Sequence, residues 1–208
     1  MPSKLKVRRA LELSRAEETE ITTILTQAFE GDPFYSFIYA DAGLRAYYLR
    51  WIFRAALKDA IRFGRVDVAY RDKIVGVGVN YPPGRYPPSA VRNIRCFPEY
   101  LSVAAGNPIG FVRLYRALVG LNKLRPAQAH SYGSLLGGQQ GEFAAPVLVQ
   151  RWLHDADANH WPCYTETNNR KMVKFYSRLG FEVLQDGIEI SPGVPPTWTM
   201  WRDVQGRP

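Results

Sequence analysis

The order of hydrophobic patterns along the chain predicts a mixed α/β fold. Three observations carry it: an opening strand followed at once by a helix, a hairpin in the middle third, and a closing run in strand-helix-strand-helix-strand-strand order. "KLKVRRALEL" reads as the first strand, and "AEETEITTILTQAF" follows as a helix, with Ile21, Ile24, Leu25 and Phe29 at helical spacing and Ser14 as its cap. "EGDPFYSFIYAD" reads as a turn-rich aromatic segment. From Ala42 to Phe63 a helix places Leu44, Tyr48, Trp51, Ile52 and Ala55 on one face and stops at Gly64. "RVDVAYRDKIVGVGVNYPPG" holds two β-rich runs joined at Arg71-Asp72-Lys73, a hairpin that "YPPGRYPPS" terminates. Residues 91–123 are helical but broken at Pro98 and at Asn107-Pro108, which predicts two or three short helices.

"SYGSLLGG" reads as a strand running into "GGQQGEFAAPVLVQ". The helix after it has Ala145, Leu148, Val149, Trp152, Leu153 and Ala156 on one face, with Pro146 in the first turn, where its missing N–H costs little. "PCYTET" is a short strand. "NNRKMVKFYSRLG" is a helix capped by Asn168 or Asn169, carrying Met172, Tyr176 and Leu179 on one face and stopped by Gly180. "FEVLQDGIEI" and "TWTMWRDV" close the chain as strands.

Composition bounds the function. The 208 residues suit one domain, 1–208, with 46% hydrophobic and 22% charged residues, the balance of an ordinary globular protein. The N-terminal stretch is basic and lacks an apolar signal core, and no segment reaches the ~20 apolar residues of a membrane span, so a cytoplasmic protein without membrane partner is expected. Two cysteines in unrelated contexts point the same way, to a reducing compartment. His130, His154 and His160 form no ligand pattern, and no metal site is expected. The net charge of +8 suits a polyanion, but the charges are scattered; a solvated basic surface is favoured over a nucleic-acid footprint.

A strand feeding a polar loop and then a helix presents unpaired backbone N–H groups and the positive end of a helix dipole, which together attract anions. Gln140 to Ala145 is that place. Any α/β crossover has such a turn, so position alone does not make it a site. No GK[ST] ending and no G-x-G-x-x-G is present, which sets nucleotide hydrolysis and dinucleotide binding aside.

Downstream, "ETNNRKMVKFYSRLGFEV" has an asparagine, six residues, a tyrosine and a short step to Gly-Phe, filled by Asn169, Tyr176, Gly180 and Phe181. This segment resembles the C-terminal part of the GNAT acyltransferase superfamily. "AFEGDPF", "YPPG", "PCYTET" and "PPTWTMWRD" occur in the same order as in proteins similar to puromycin N-acetyltransferase. The resemblance implies a GNAT fold, with a central mixed, largely antiparallel twisted sheet of six to seven strands flanked by helices. It also implies acyl transfer from acetyl-CoA to a small-molecule amine.

The same resemblance assigns Leu136, Gly137, Gln140, Gly141, Glu142, Phe143, Ala144, Ala145, Asn169 and Phe175 to the CoA site, with the pyrophosphate on the loop amides. The family loop has Gln or Arg, two residues, Gly, one residue, then Gly or Ala; those places fall on Gln140, Phe143 and Ala145. The middle glycine is therefore replaced, and the passage from strand to loop is short. A Phe adds bulk and disfavours φ > 0 by roughly 1–2 kcal/mol. The Glu142 carboxylate opposes a polyanion, so an affinity loss of about tenfold or more is expected.

Tyr176 is the general acid that the resemblance nominates, a phenol of pKa ~10 matched to a thiolate leaving group. Glu166 ends its strand as a candidate general base or amine-binding group. Asp32, Phe34, Tyr35 and Tyr39 form a cluster able to hold a cation by charge and aromatic faces, or simply a loop packed on the core. Two rivals stand beside the transferase: a GNAT-fold enzyme rebuilt for a CoA-independent reaction, and a non-catalytic binding module.

Overall fold

A computed structural model describes residues 4–205; residues 1–3 and 206–208, part of the basic N-terminal stretch and of the range 1–208, lie outside it. The elements are β1 (Lys6–Ala10), α1 (Arg15–Phe29), α2 (Pro33–Ile38), α3 (Ala42–Phe63), β2 (Arg65–Tyr70), β3 (Ile74–Tyr81), α4 (Ala90–Arg95), α5 (Phe97–Gly106), α6 (Pro108–Leu124), β4 (Ser131–Gly138), α7 (Ala144–Ala158), β5 (Cys163–Thr167), α8 (Arg170–Ser177), β6 (Glu182–Ile188) and β7 (Thr197–Arg202). The strands form one seven-stranded sheet in the order β1-β2-β3-β4-β5-β7-β6. The pair β4·β5 is parallel and the others are antiparallel.

Local chemistry explains the boundaries. Ser14 and Glu17 close a reciprocal capping box at the start of α1, satisfying two backbone donors. Asn169, rather than Asn168, caps α8 by accepting from Lys171 N; Asn168 instead donates to the carbonyls of Pro195 and Pro196. Gly180, at φ 86°, makes the left-handed exit that leads α8 into β6.

Two expectations are corrected. The segment read as turn-rich contains the helix α2: Asp32 caps it, Pro33 fills its first turn, and burial of Phe34 and Ile38 anchors it. Leu44 is 49% exposed and does not belong to the buried face of α3, because that face turns inward only from Tyr48 onward. The helical region 91–123 resolves into three helices, α4 to α6, with Pro98 and Pro108 in the first turns of α5 and α6, as the proline positions require.

The sheet is packed on both faces. On β3, Val77 and Val79 face the main core under α1 and α3, while Gly76 and Gly78 lie under α7. A Cβ on Gly76 would stand 2.4 Å from the Ala144 Cβ, so the missing side chain lets the start of α7 approach the sheet. That approach fixes where the loop before α7 opens.

Candidate functional site

The pairing of β4 with β5 ends early. Ser131, Tyr132 and Gly133 pair with Cys163, Tyr164 and Thr165; beyond them the strands separate. On its other side β4 carries a bulge, for Val79 pairs with Leu135 and Asn80 with Gly133, leaving Ser134 without a partner. Two cavities meet at this split. The first is lined by Gly133 to Leu136, α7, Thr165 to Thr167, Asn169, Met172 and Tyr176. The second lies under α2 to α6 and shares Phe29, Asp32, Ser134, Leu135, Glu166 and Thr167 with the first.

Tyr176 reaches the first cavity from α8, 6% exposed, its ring held edge-on by Phe175 and Phe181 at 5.2 and 5.3 Å. Burial pushes its phenol up to about 12, partly offset by a hydrogen bond with Thr165. The phenol is therefore a weaker acid than the ~10 expected from the sequence, and stays protonated at neutral pH. Glu166 enters from β5 with its side chain 6% exposed. Arg125 Nε donates to its Oε1 at 3.2 Å, and Tyr132 Oη donates to its Oε2 at 2.7 Å. The guanidinium is clamped between the rings of Tyr86 and Tyr132, 4.2 and 4.1 Å from their centroids. Burial raises the Glu166 carboxyl above its ordinary value, and Arg125 pulls it partly back. The result is a carboxylate more basic than usual in a fixed orientation.

The anion loop keeps the backbone a glycine would have. Phe143 sits at φ 51°, ψ 30° as the N-cap of α7, makes no side-chain cap and is 79% exposed. With no side-chain cap and with Pro146 in the first turn, the leading amides of α7 are left for solvent or an anion. Phe143 is left-handed in the fold itself, so its strain weighs on folding, and its bulk is what opposes a phosphate. Glu142 Oε2 accepts from Arg71 Nε at 3.0 Å, so its charge is countered. Both points revise the affinity loss expected from the sequence. Phe143→Gly is expected to raise stability by up to about 1 kcal/mol, as relief of strain exceeds the glycine's entropy cost, read as a Tm gain of about 2–4 °C. An unchanged or lower Tm would mean that the position is not strained.

The other expected residues divide. Leu136 and Asn169 line the first cavity. Gly137 is buried against Leu25 and Ala28, Gly141 lies open at φ 84°, Ala144 packs on Gly76 and Ala145 follows it. Phe175 supports Tyr176 without reaching either cavity. Asp32, Phe34 and Tyr35 line the second cavity. Tyr39 does not: it is fully buried, stacked on Tyr48 at 5.2 Å, because the end of α2 turns it into the core. The sequence reading missed Arg125, Tyr132 and Tyr86, and also Asp59, whose carboxylate takes Arg92 through both oxygens and accepts from Tyr81 Oη. Nothing in their spacing marks them, since they come from α3, the loop after β3, the residue that ends α6, and β4. Among the described residues no three His, Cys, Asp or Glu side chains form a metal-binding group, and no helix is long and apolar enough to cross a membrane.

No family model matches the chain, and no curated protein matches it. Solved structures do match. One described as histone acetyltransferase HPA2 and related acetyltransferase, from Corynebacterium glutamicum ATCC 13032, has TM-score 0.69 at 21% identity, over 100% of this chain and 99% of that one. Arylalkylamine N-acetyltransferase 2 from Aedes aegypti has TM-score 0.57 at 16% identity, over 97% and 99%. A GCN5-related N-acetyltransferase from Rhodopseudomonas palustris has TM-score 0.55 at 10% identity, over 98% of each chain. The fold of this chain is therefore that of the GNAT acetyltransferases.

Proposed function

We propose that the chain is an N-acyltransferase that moves an acetyl or other acyl group from acyl-CoA to a small-molecule amine. One observation carries the reading: Tyr176 and Glu166, from different elements, open on the same cavity where β4 and β5 part. Acyl-CoA would supply an activated thioester, with its pyrophosphate on the leading amides of α7 and the loop 140–145. Glu166 takes the proton of the attacking amine as the C–N bond forms, each of its oxygens keeping a lone pair beside its one hydrogen bond. Tyr176 donates its proton to the sulfur as the C–S bond breaks. Within this reading the chain groups with puromycin N-acetyltransferase-like proteins on the motifs quoted above. It acts as one domain, 1–208, in the cytoplasm, without nucleic acid or membrane as partner.

The rivals are a CoA-independent enzyme, which rests on Phe143, Glu142 and the short passage from strand to loop, and a binding module. The short passage stands, while the left-handed backbone at Phe143 and the Arg71–Glu142 pair weaken the other two supports. Acetyl-CoA at about 100 times its Kd is expected to stabilise the fold by about 2.7 kcal/mol, a Tm rise of about 5–10 °C. No shift at millimolar acetyl-CoA would sink the transferase, and turnover with a panel of amines divides enzyme from module.

A further inference from the structure

The second cavity, about 210 Å³, is walled by rings, among them Tyr35, Phe53, Tyr81, Tyr86, Tyr100 and Tyr132. Three carboxylates reach it: Asp32, Asp59 and Glu166. Two of the three are already neutralised. Asp59 is held through both oxygens by Arg92, at 2.9 and 2.6 Å, and Glu166 is paired with Arg125 at 3.2 Å. Neither guanidinium lines the cavity, for Arg92 is spent on Asp59 and Arg125 lies clamped between two tyrosines. Asp32 differs. Its partners are the backbone amides of Phe34 and Tyr35, no cation is among them, and it lines both cavities where they join.

A cavity of this kind has room for one cationic group and a flat apolar body, and no cationic side chain lines it to receive a carboxylate. From this we infer that the acceptor is an arylalkyl monoamine lacking a carboxylate, bound as its ammonium on Asp32 and losing one proton to solvent before the neutral amine attacks on the Glu166 side of the joined cavities, its ring among the tyrosines. The inference rests on the acyl-transfer reading for the reaction, but not for the binding. An amino acid would bring its carboxylate against ring faces and two occupied carboxylates, and a polyamine would leave its further charges unpaired in an aromatic wall.

Calorimetry on the chain without acyl-CoA tests the binding, with phenethylamine, phenylalanine and spermidine as probes. Phenethylamine should bind at least about tenfold more tightly than either of the others, the scale of one charged contact. Asp32→Asn should weaken phenethylamine by about tenfold or more at unchanged Tm, since asparagine caps α2 as well as aspartate does. Phenylalanine or spermidine binding as tightly as phenethylamine overturns the inference, as does an Asp32→Asn variant of full affinity. The comparison of probes on the unaltered chain stands even if the variant misfolds. Turnover with acetyl-CoA separates the two levels: phenethylamine bound with the expected preference but never acetylated upholds the pocket and removes the transferase. Spermidine acetylated while phenethylamine fails to bind does the reverse.

Discussion

Tyr176→Phe is expected to lower kcat for acetyl transfer by about 100-fold while leaving acetyl-CoA affinity within about twofold. The substitution removes one oxygen and keeps a ring that Phe175 and Phe181 already hold, so the fold and the cavity wall persist. What would disappear, under the proposed mechanism, is a proton donor at the leaving sulfur. With its phenol pushed up to about 12, Tyr176 is protonated at neutral and mildly alkaline pH. The wild-type rate should accordingly show no loss from Tyr176 titration between neutral pH and about 10. Steady-state kinetics with a single-turnover check decides the matter; unchanged kcat removes Tyr176 from the chemistry.

Glu166→Gln is the second large effect, with kcat/KM expected to fall by about 100-fold and its acid limb to vanish. In the proposed mechanism Glu166 works only when ionised, so wild-type activity should be lost as pH falls through its pKa. Burial sets that limb above the ordinary carboxylate range, and Arg125 holds it lower than burial alone would. Arg125→Met should therefore move the limb to higher pH, whereas a residue that only supported the fold would change stability and leave the limb in place. A Glu166→Gln variant that keeps both rate and limb would assign the base elsewhere.

How far the sequence could be read depended on the range of the interactions. Capping, glycine exits and proline breaks act within a few residues, and so Ser14, Gly180, Pro98 and Pro108 marked element ends correctly. The short helix α2 was hidden because six residues carry too little periodicity, although the Asp32-Pro33 start was in view. Tyr39 looked like a pocket residue because an aromatic beside an aspartate reads the same whether it faces a ligand or the core; the turn of α2 decides, and it faces Tyr48.

Tyr176 could be named through the resemblance that its segment carries, and Glu166 because it stands at the end of the strand before that helix, in "CYTETNNRKMVKFY". Arg125, 41 residues away, could not. Its position at the end of α6 acquires meaning only when β4 and β5 bring Tyr132 and Glu166 beside it. The same holds for Asp59 on α3, Arg92 on α4 and Tyr81 on β3. For Phe143, local spacing identified a departure from a glycine but not which balance it disturbs. The left-handed backbone puts the strain into folding, and the ion pair sets the Arg71 guanidinium beside the Glu142 carboxylate.

By itself, then, the sequence determined the alternation of elements, their caps and breaks, and the strand-helix pair that carries Glu166 and Tyr176, since all of these depend on contacts a few residues apart. Tertiary structure alone decided that β4 and β5 separate after three paired residues, that two cavities join there, and which carboxylate among three stays without a cation. Those outcomes depend on strand register and on charges meeting across four or more elements, where loop closure and packing, rather than local preference, set the energy.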